Sequence, residues 1–211
     1  MADPPFEKSV FINCPFDEQY EPILQSVLFC VLYLGFEPRL ALEQNDAAQV
    51  RLKKITGLIK ASKYSIHDLS RSIASRKGEM FRLNMPLELG IDYGCREFGG
   101  ADMATKKFLI LEEKKYRYQA AISDLAGCDI ETHAGDFTQA IGKVRSWLVN
   151  EAVAKNVGTT RLISKYADFQ AWYWACQERA GASDGDIKKY PTKEILTNMK
   201  DWLKNGEPLD A

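Results

Sequence analysis

The sequence predicts an α/β protein organised around a parallel sheet, and three observations carry that reading. Short apolar runs of strand length alternate with longer helical stripes from residue 8 to about residue 155. Such alternation favours parallel strands joined by crossover helices. The second strand candidate contains Pro38, which cannot donate to a central ladder and so suits a sheet edge. After "AKNVGTT" (154–160) the strand signals stop and only helical stripes follow.

Taken in order, "KSVFIN" (8–13) reads as a buried strand. "YEPILQSVLFCVLYLG" (20–35) is a helix, with Pro22 in its first turn and Gly35 as its C-terminal stop. "FEPRLAL" (36–42) is the proline-bearing second strand, followed by a helical stripe over 48–62. "YSIHDL" (64–69) is a third strand ending in an acid, and a polar loop fills 70–83. "MPLELGIDYGCREFG" (85–99) is a helix, "KKFLILE" (106–112) the clearest strand, and 116–127 a short helix. A weak fifth strand (128–133) precedes a helix over 136–155 with Asp136 at its N-cap. Five strands in this alternation suit the flavodoxin-like order 2-1-3-4-5, with helices on both faces. We therefore expect an α/β domain over 1–153 and a small helical appendage over 154–211, with helices at 161–181 and 192–206.

Composition removes several classes of function. The net charge is -1, from 28 basic and 29 acidic residues, so no field favours nucleic acid or an anionic membrane. The five cysteines are odd in number, widely spaced and without a CxxC, which predicts reduced thiols in a cytoplasmic protein. The N-terminal residues lack the basic and apolar regions of a signal peptide. The longest apolar stretch, 26–36, is too short to span a bilayer. Two histidines suggest no zinc site.

In an open parallel sheet, ligands bind outside the carboxyl ends of the strands, at the switch point of strand order. The first strand ends in Asn13-Cys14-Pro15-Phe16-Asp17 and the third in Asp68-Leu69-Ser70-Arg71. These are neighbours in the predicted order. The helix that opens near Met85-Pro86 begins on the same edge, and Asn84, Glu88 and Asp92 recur four apart along it. Gly90 and Gly94, also four apart, would give that helix a smooth face against the sheet. A glutamate in a first helical turn complements the helix dipole and needs no other role. The same position would keep the carboxylate ionised, which suits stabilisation of a developing cation. Cleavage of an N-glycosidic bond needs such a group, because the sugar becomes oxocarbenium-like as the base leaves. Asn13 and Asp68 are candidates for holding ribose hydroxyls, Phe16 for stacking on a base, and Arg71 and Arg82 for a phosphate. Asp17, Ser70, Asn84 and Asp92 complete the candidate binding set. His67 and Asp68 are adjacent in a strand and point to opposite faces, so they are not expected to form a dyad. Cys14 lacks the C-x5-R setting of a cysteine phosphatase, since position 20 is tyrosine. No Walker A or GxGxxG motif is present. A receiver would need an acidic pair after the first strand and a lysine after the fifth. This chain has Asn13-Cys14 and Thr132-His133 there.

"SVFINCPFD", "IHDLSR" and "NMPLELGIDYG" resemble a bacterial family of TIR-like proteins related in fold to the nucleoside 2-deoxyribosyltransferases. The resemblance covers residues 8 to about 150. It implies that "HDLS" and "ELG" place Asp68 and a catalytic Glu88 at one site. It further implies cleavage of nicotinamide from NAD as substrate, with no separate cofactor, and a homo-oligomer serving antiphage or stress signalling. The "S-x-W-C-x-x-E" context of TIR domains is missing here. A nucleotide-sensing module without catalysis and a deoxyribosyltransferase-type base exchange are the alternatives.

Overall fold

The computed structural model describes residues 3–41, 50–71, 83–120 and 122–210. Five strands form one parallel sheet in the order β2-β1-β3-β4-β5: β1 (Ser9–Asn13), β2 (Glu37–Arg39), β3 (Tyr64–Asp68), β4 (Lys107–Glu112) and β5 (Ile130–Thr132). This is the flavodoxin-like α/β fold that the alternation predicts. Pro38 stands in the edge strand β2, opposite Val10.

Helices α2 (Arg51–Lys60) and α3 (Asn84–Phe98) cover one face, with Phe11 of β1 packed on Ile55, Leu58 and Ile59. Helices α1 (Glu21–Tyr33) and α4 (Phe137–Glu151) cover the other, against Val10, Ile12, Ile66 and Leu111. Two expected helix signals act as read. Gly35 ends α1 at φ 86°, with Gly35 N–H bonded to Leu32 O at 2.9 Å and Phe36 N–H to Val31 O at 3.1 Å. Asp136 caps α4 by accepting from Thr138 N–H at 2.7 Å.

Helix α1 is buried almost all round, from Ile23 to Val31. A helix with no polar face must be covered on every side. The C-terminal helices supply that cover: α5 (Thr159–Arg179), α6 (Asp184–Ile187) and α7 (Thr192–Lys204). Phe29 of α1 meets Tyr166, Phe169 and Trp202 at centroid distances of 5.3, 5.8 and 5.9 Å. The residues after 153 therefore extend the main core rather than enclosing a separate one.

Three local expectations are corrected. The segment 116–127 is not an α-helix. Its described residues form two 3-10 turns, 117–120 and 123–125, with Tyr116 at φ 64°. Arg117 is drawn back onto Glu112, and Ser123 and Asp124 are poor interior helix residues, so a regular helix does not propagate. Helix α3 starts at Asn84, which puts Pro86 third and Glu88 fifth, beyond the first turn. The sheet-facing side of α3 carries Met85, Glu88, Leu89 and Asp92, whereas Gly90 is exposed and Gly94 half-buried.

Candidate functional site at the switch point

The alternation of β3 sends its side chains to opposite faces, and each face uses a histidine-carboxylate pair. Ser65 and His67 point toward α3. There, Asp92 Oδ2 accepts from Ser65 Oγ at 2.5 Å and lies 3.2 Å from His67 Nε2. Asn13 Nδ2 donates to Met85 O at 2.8 Å and stands 3.0 Å from His67 Nδ1. An amide that donates to Nδ1 assigns the ring proton to Nε2, which then donates to Asp92. Lys106 Nζ, fully buried, lies 3.2 Å from Asp92 Oδ1 and donates to Ile59 O and Ser62 O. Burial would raise the Asp92 carboxyl, but His67, Lys106 and Ser65 outweigh it and hold it below the usual carboxylate range.

On the other face, Asp68 Oδ2 accepts from Tyr20 Oη at 2.7 Å and lies 3.0 Å from His133 Nε2, while Oδ1 accepts from Ser70 N–H at 2.9 Å. Gly135 N–H donates to His133 Nδ1 at 3.1 Å, so the ring proton again sits on Nε2. Burial pushes Asp68 up, yet His133, Ser70 and Tyr20 keep it below its ordinary value. Ser70 Oγ is 3.1 Å from the same Nε2. A nucleophile triad needs serine and aspartate on opposite ring nitrogens. Here both share one nitrogen, and the three residues hold each other in place. Tyr20→Phe is accordingly expected to cost about 1.5–3 kcal/mol, the range for a hydrogen bond to a charged group. Urea unfolding at pH 7 checks this, and a loss under about 0.5 kcal/mol would contradict it.

The structure thus places Asn13, Asp68 and Ser70 at the switch point but fully engaged and 0–4 % exposed, whereas Asp92 is buried deeper between α3 and the sheet, against Ser65 near the start of β3 and Lys106 just before β4, and is corrected as a ligand-edge residue. Asp17 and Arg71 pair with each other, Nε to Oδ2 at 3.3 Å, and tie the loop after β1 to the loop after β3. Arg71 also donates to Gln19 Oε1. Phe16 is half-exposed on the loop after β1 and Asn84 is exposed at the start of α3. Arg82 lies outside the described residues. Five residues of the framework went unassigned in the sequence: Tyr20, Ser65, Lys106, Arg117 and His133. Arg117 bridges Glu112, at the end of β4, to Ser70 O at 2.6 Å. His133 carried one available signal, as one of only two histidines and the residue directly after a strand.

Glu88 is the exception among the buried acids. It is 6 % exposed and has no hydrogen-bond or ion-pair partner among the described residues. Burial raises its carboxyl to about 7, against a weaker opposing pull from the Arg51 guanidinium. The expectation that the helix start keeps it ionised is therefore corrected. Glu88 sits past the first turn, and desolvation outweighs the dipole there. Burial also lifts the Cys14 thiol well above its usual range, and the nearby Asp68, Glu21, Glu88 and Asp17 carboxylates add to it. Cys14 is thus a poor thiolate nucleophile.

Among the described residues, no group of acids, histidines or cysteines is arranged to hold a metal ion, and no helix is long and apolar enough to cross a membrane. Compared with family models, curated proteins and solved structures, the chain matched none.

Proposed function

We propose that the protein is a nucleotide N-glycosidase that cleaves the nicotinamide-ribose bond of NAD, with Glu88 as its catalytic carboxylate. The single observation that carries this reading is Glu88 itself, a buried carboxyl at the ligand edge with no described partner and a pKa raised to about 7. A structural acid in that position would be paired, as Asp68, Asp92 and Glu112 are. An unpaired, desolvated carboxylate gains its partner when a cation forms beside it. In the proposed reaction the bond between the ribose anomeric carbon and the nicotinamide nitrogen breaks. Its electron pair leaves with the nitrogen, which becomes neutral, and the ribose acquires oxocarbenium character opposite Glu88. Water adds to the anomeric carbon and releases a proton, giving nicotinamide and the ribosyl product. The resemblance of "HDLS" and "ELG" to TIR-like and deoxyribosyltransferase-like proteins agrees with this reading and adds the expectation of an oligomer in bacterial defence or stress signalling.

The ionised form of Glu88 is the active one in this reading. With a carboxyl near 7, kcat/KM for nicotinamide release is expected to rise about tenfold per pH unit below 7 and to level above it. A flat profile from pH 5 to 8 would contradict the role. Intact NAD, NADP and nucleosides after incubation, alongside saturable binding, would make the protein a sensor instead.

A further inference from the structure

Helix α3 turns an apolar stripe away from the sheet. Met85, Glu88, Leu89 and Asp92 form its buried side. Opposite them stand Leu83 at the N-cap, then Leu87, Gly90, Gly94 and Phe98, spaced three or four apart and so aligned along the helix. Leu83 is 61 % exposed, Leu87 57 % and Phe98 89 %. The outer side of a surface helix is ordinarily charged or polar. Here Arg96 folds back over the rings of Tyr93 and Phe108, and Glu97 stands only at the end of the stripe. Helix α1 has a similar excess of apolar surface, and the C-terminal helices cover it. The described residues leave the stripe on α3 open.

Gly90 and Gly94 sit in the middle of this stripe. Glycine in a helix interior is less stable than alanine. A Cβ at Gly90 would meet nothing within 4 Å, and one at Gly94 only the Phe98 ring at 4.0 Å. Packing within the chain therefore requires neither glycine. Two glycines one turn apart let a second helix approach closely, because no side chain holds the backbones apart. Leu83 and Leu87 lie before this notch and Phe98 after it, so the stripe fits its own reverse, as a two-fold axis requires. Helix α2 packs beside α3 through Ile91 and Cys95, and its start adds the exposed Val50 and Leu52. These five large apolar residues expose roughly 500–600 Å² together. One partner in a standard interface supplies about 800 Å², a little over half of it apolar. The patch is therefore large enough for a stable dimer. Charge sets the direction of pairing. Arg51 and Lys53 are exposed at the start of α2, and Glu97 and Asp102 are exposed at the far end of α3. A parallel pair would bring like charges together, whereas an antiparallel pair brings the cations of one copy toward the acids of the other. We propose that this face joins two copies of the chain in an antiparallel pair, with Gly90 and Gly94 of each at the centre and Phe98 of one against Leu83 and Leu87 of the other.

Sedimentation velocity of the full chain from about 1 to 100 μM tests this, with melting curves at the dilute end. The wild type is expected to pass from monomer to dimer within that range. Leu87→Asp and Phe98→Asp should each weaken association at least about tenfold and leave the Tm of the dilute protein unchanged, because both side chains are exposed in the single chain. Gly90→Ala should also weaken the dimer while raising the dilute Tm, since the added methyl meets nothing in the chain and favours the helix. It decides the matter alone if an aspartate variant does not fold. Glu88→Gln should dimerise as the wild type does, so the interface stands whether or not the glycosidase reading does. A wild-type monomer at about 100 μM would overturn the proposal, whether or not that monomer then bound lipid vesicles or another protein. Wild-type association in both aspartate variants would overturn it by assigning the dimer to another face. A lowered dilute Tm in Gly90→Ala would overturn it too, by giving the glycine a role within the chain.

Discussion

Glu88→Gln is expected to be more stable than the wild type at pH 8 and equal to it at pH 5, while losing about 10²–10³-fold in nicotinamide release. The stability half follows from proton linkage. The Glu88 carboxyl is raised from about 4.5 to about 7 by burial. Between those values the unfolded chain has lost the proton and the folded chain still holds it. Stability therefore falls as pH rises from 4.5 through 7, and is lowest above 7, where the folded state carries a buried charge with no partner among the described residues. With screening by partial solvent contact, the cost at pH 8 is roughly 1–3 kcal/mol. Glutamine keeps the shape and removes the charge, so its Tm should exceed that of the wild type at pH 8. A residue that weakens the fold and sustains turnover shows the signature of a functional site. Melting curves at the two pH values check the sign. A Glu88→Gln protein less stable at pH 8 would assign the Glu88 carboxylate a partner and contradict this sign.

Asp92→Ala should produce the largest loss of stability, about 3–5 kcal/mol, the range for breaking a buried ion pair from one side. Asp92 is fully buried with Ser65, His67 and Lys106 directed at it. Removing it strands the Lys106 ammonium, which keeps only the carbonyls of Ile59 and Ser62. It also frees α3 from β3 one turn after Glu88, while the Asn13 bond to Met85 O holds the other side. The double replacement Asp92→Leu with Lys106→Met should recover much of the loss, because no lone charge remains. Denaturant midpoints at pH 7 decide this. A single-variant loss under about 1 kcal/mol would show the network to be dispensable. Asp92 and Asp68 also have the opposite pH dependence to Glu88. Both are held below their ordinary values, so the stability they contribute is present above about pH 4 and lost as pH falls further.

Local chemistry made much of the fold legible. The Gly35 stop, the Asp136 cap and the edge proline at Pro38 each depend on backbone requirements that one residue type meets. Strand order followed from the alternation and from Pro38. The run "SVLFCVLYLGF" also stated, in its lack of a polar face, that α1 needs cover on all sides. The aromatic residues at 166, 169 and 202 provide it, but their pairing with Phe29 is set by packing across more than 130 residues. The segment 116–127 carried a helical stripe that the Arg117–Glu112 pair overrides.

The site was legible by position and illegible by partner. Strand ends and topology located Asn13, Asp68, Ser70 and Glu88 at one edge, while Asp92, one turn further along α3, lies deeper against Ser65 and Lys106. Nothing local says that Tyr20 and His133 saturate Asp68, or that Ser65, His67 and Lys106 saturate Asp92. Glu88 was read through the helix dipole, because sequence shows its place in the helix but not its desolvation. Its two leucine neighbours do not report burial either, since Leu87 is exposed and Leu89 buried.

The most direct measurement is nicotinamide release from NAD at pH 8 by the wild type and Glu88→Gln, prepared side by side, with the Tm of each sample recorded. The account predicts release by the wild type, none above background by the variant, and a higher Tm for the variant. Equal release by both proteins, or release lost only because the variant is unfolded, would contradict it.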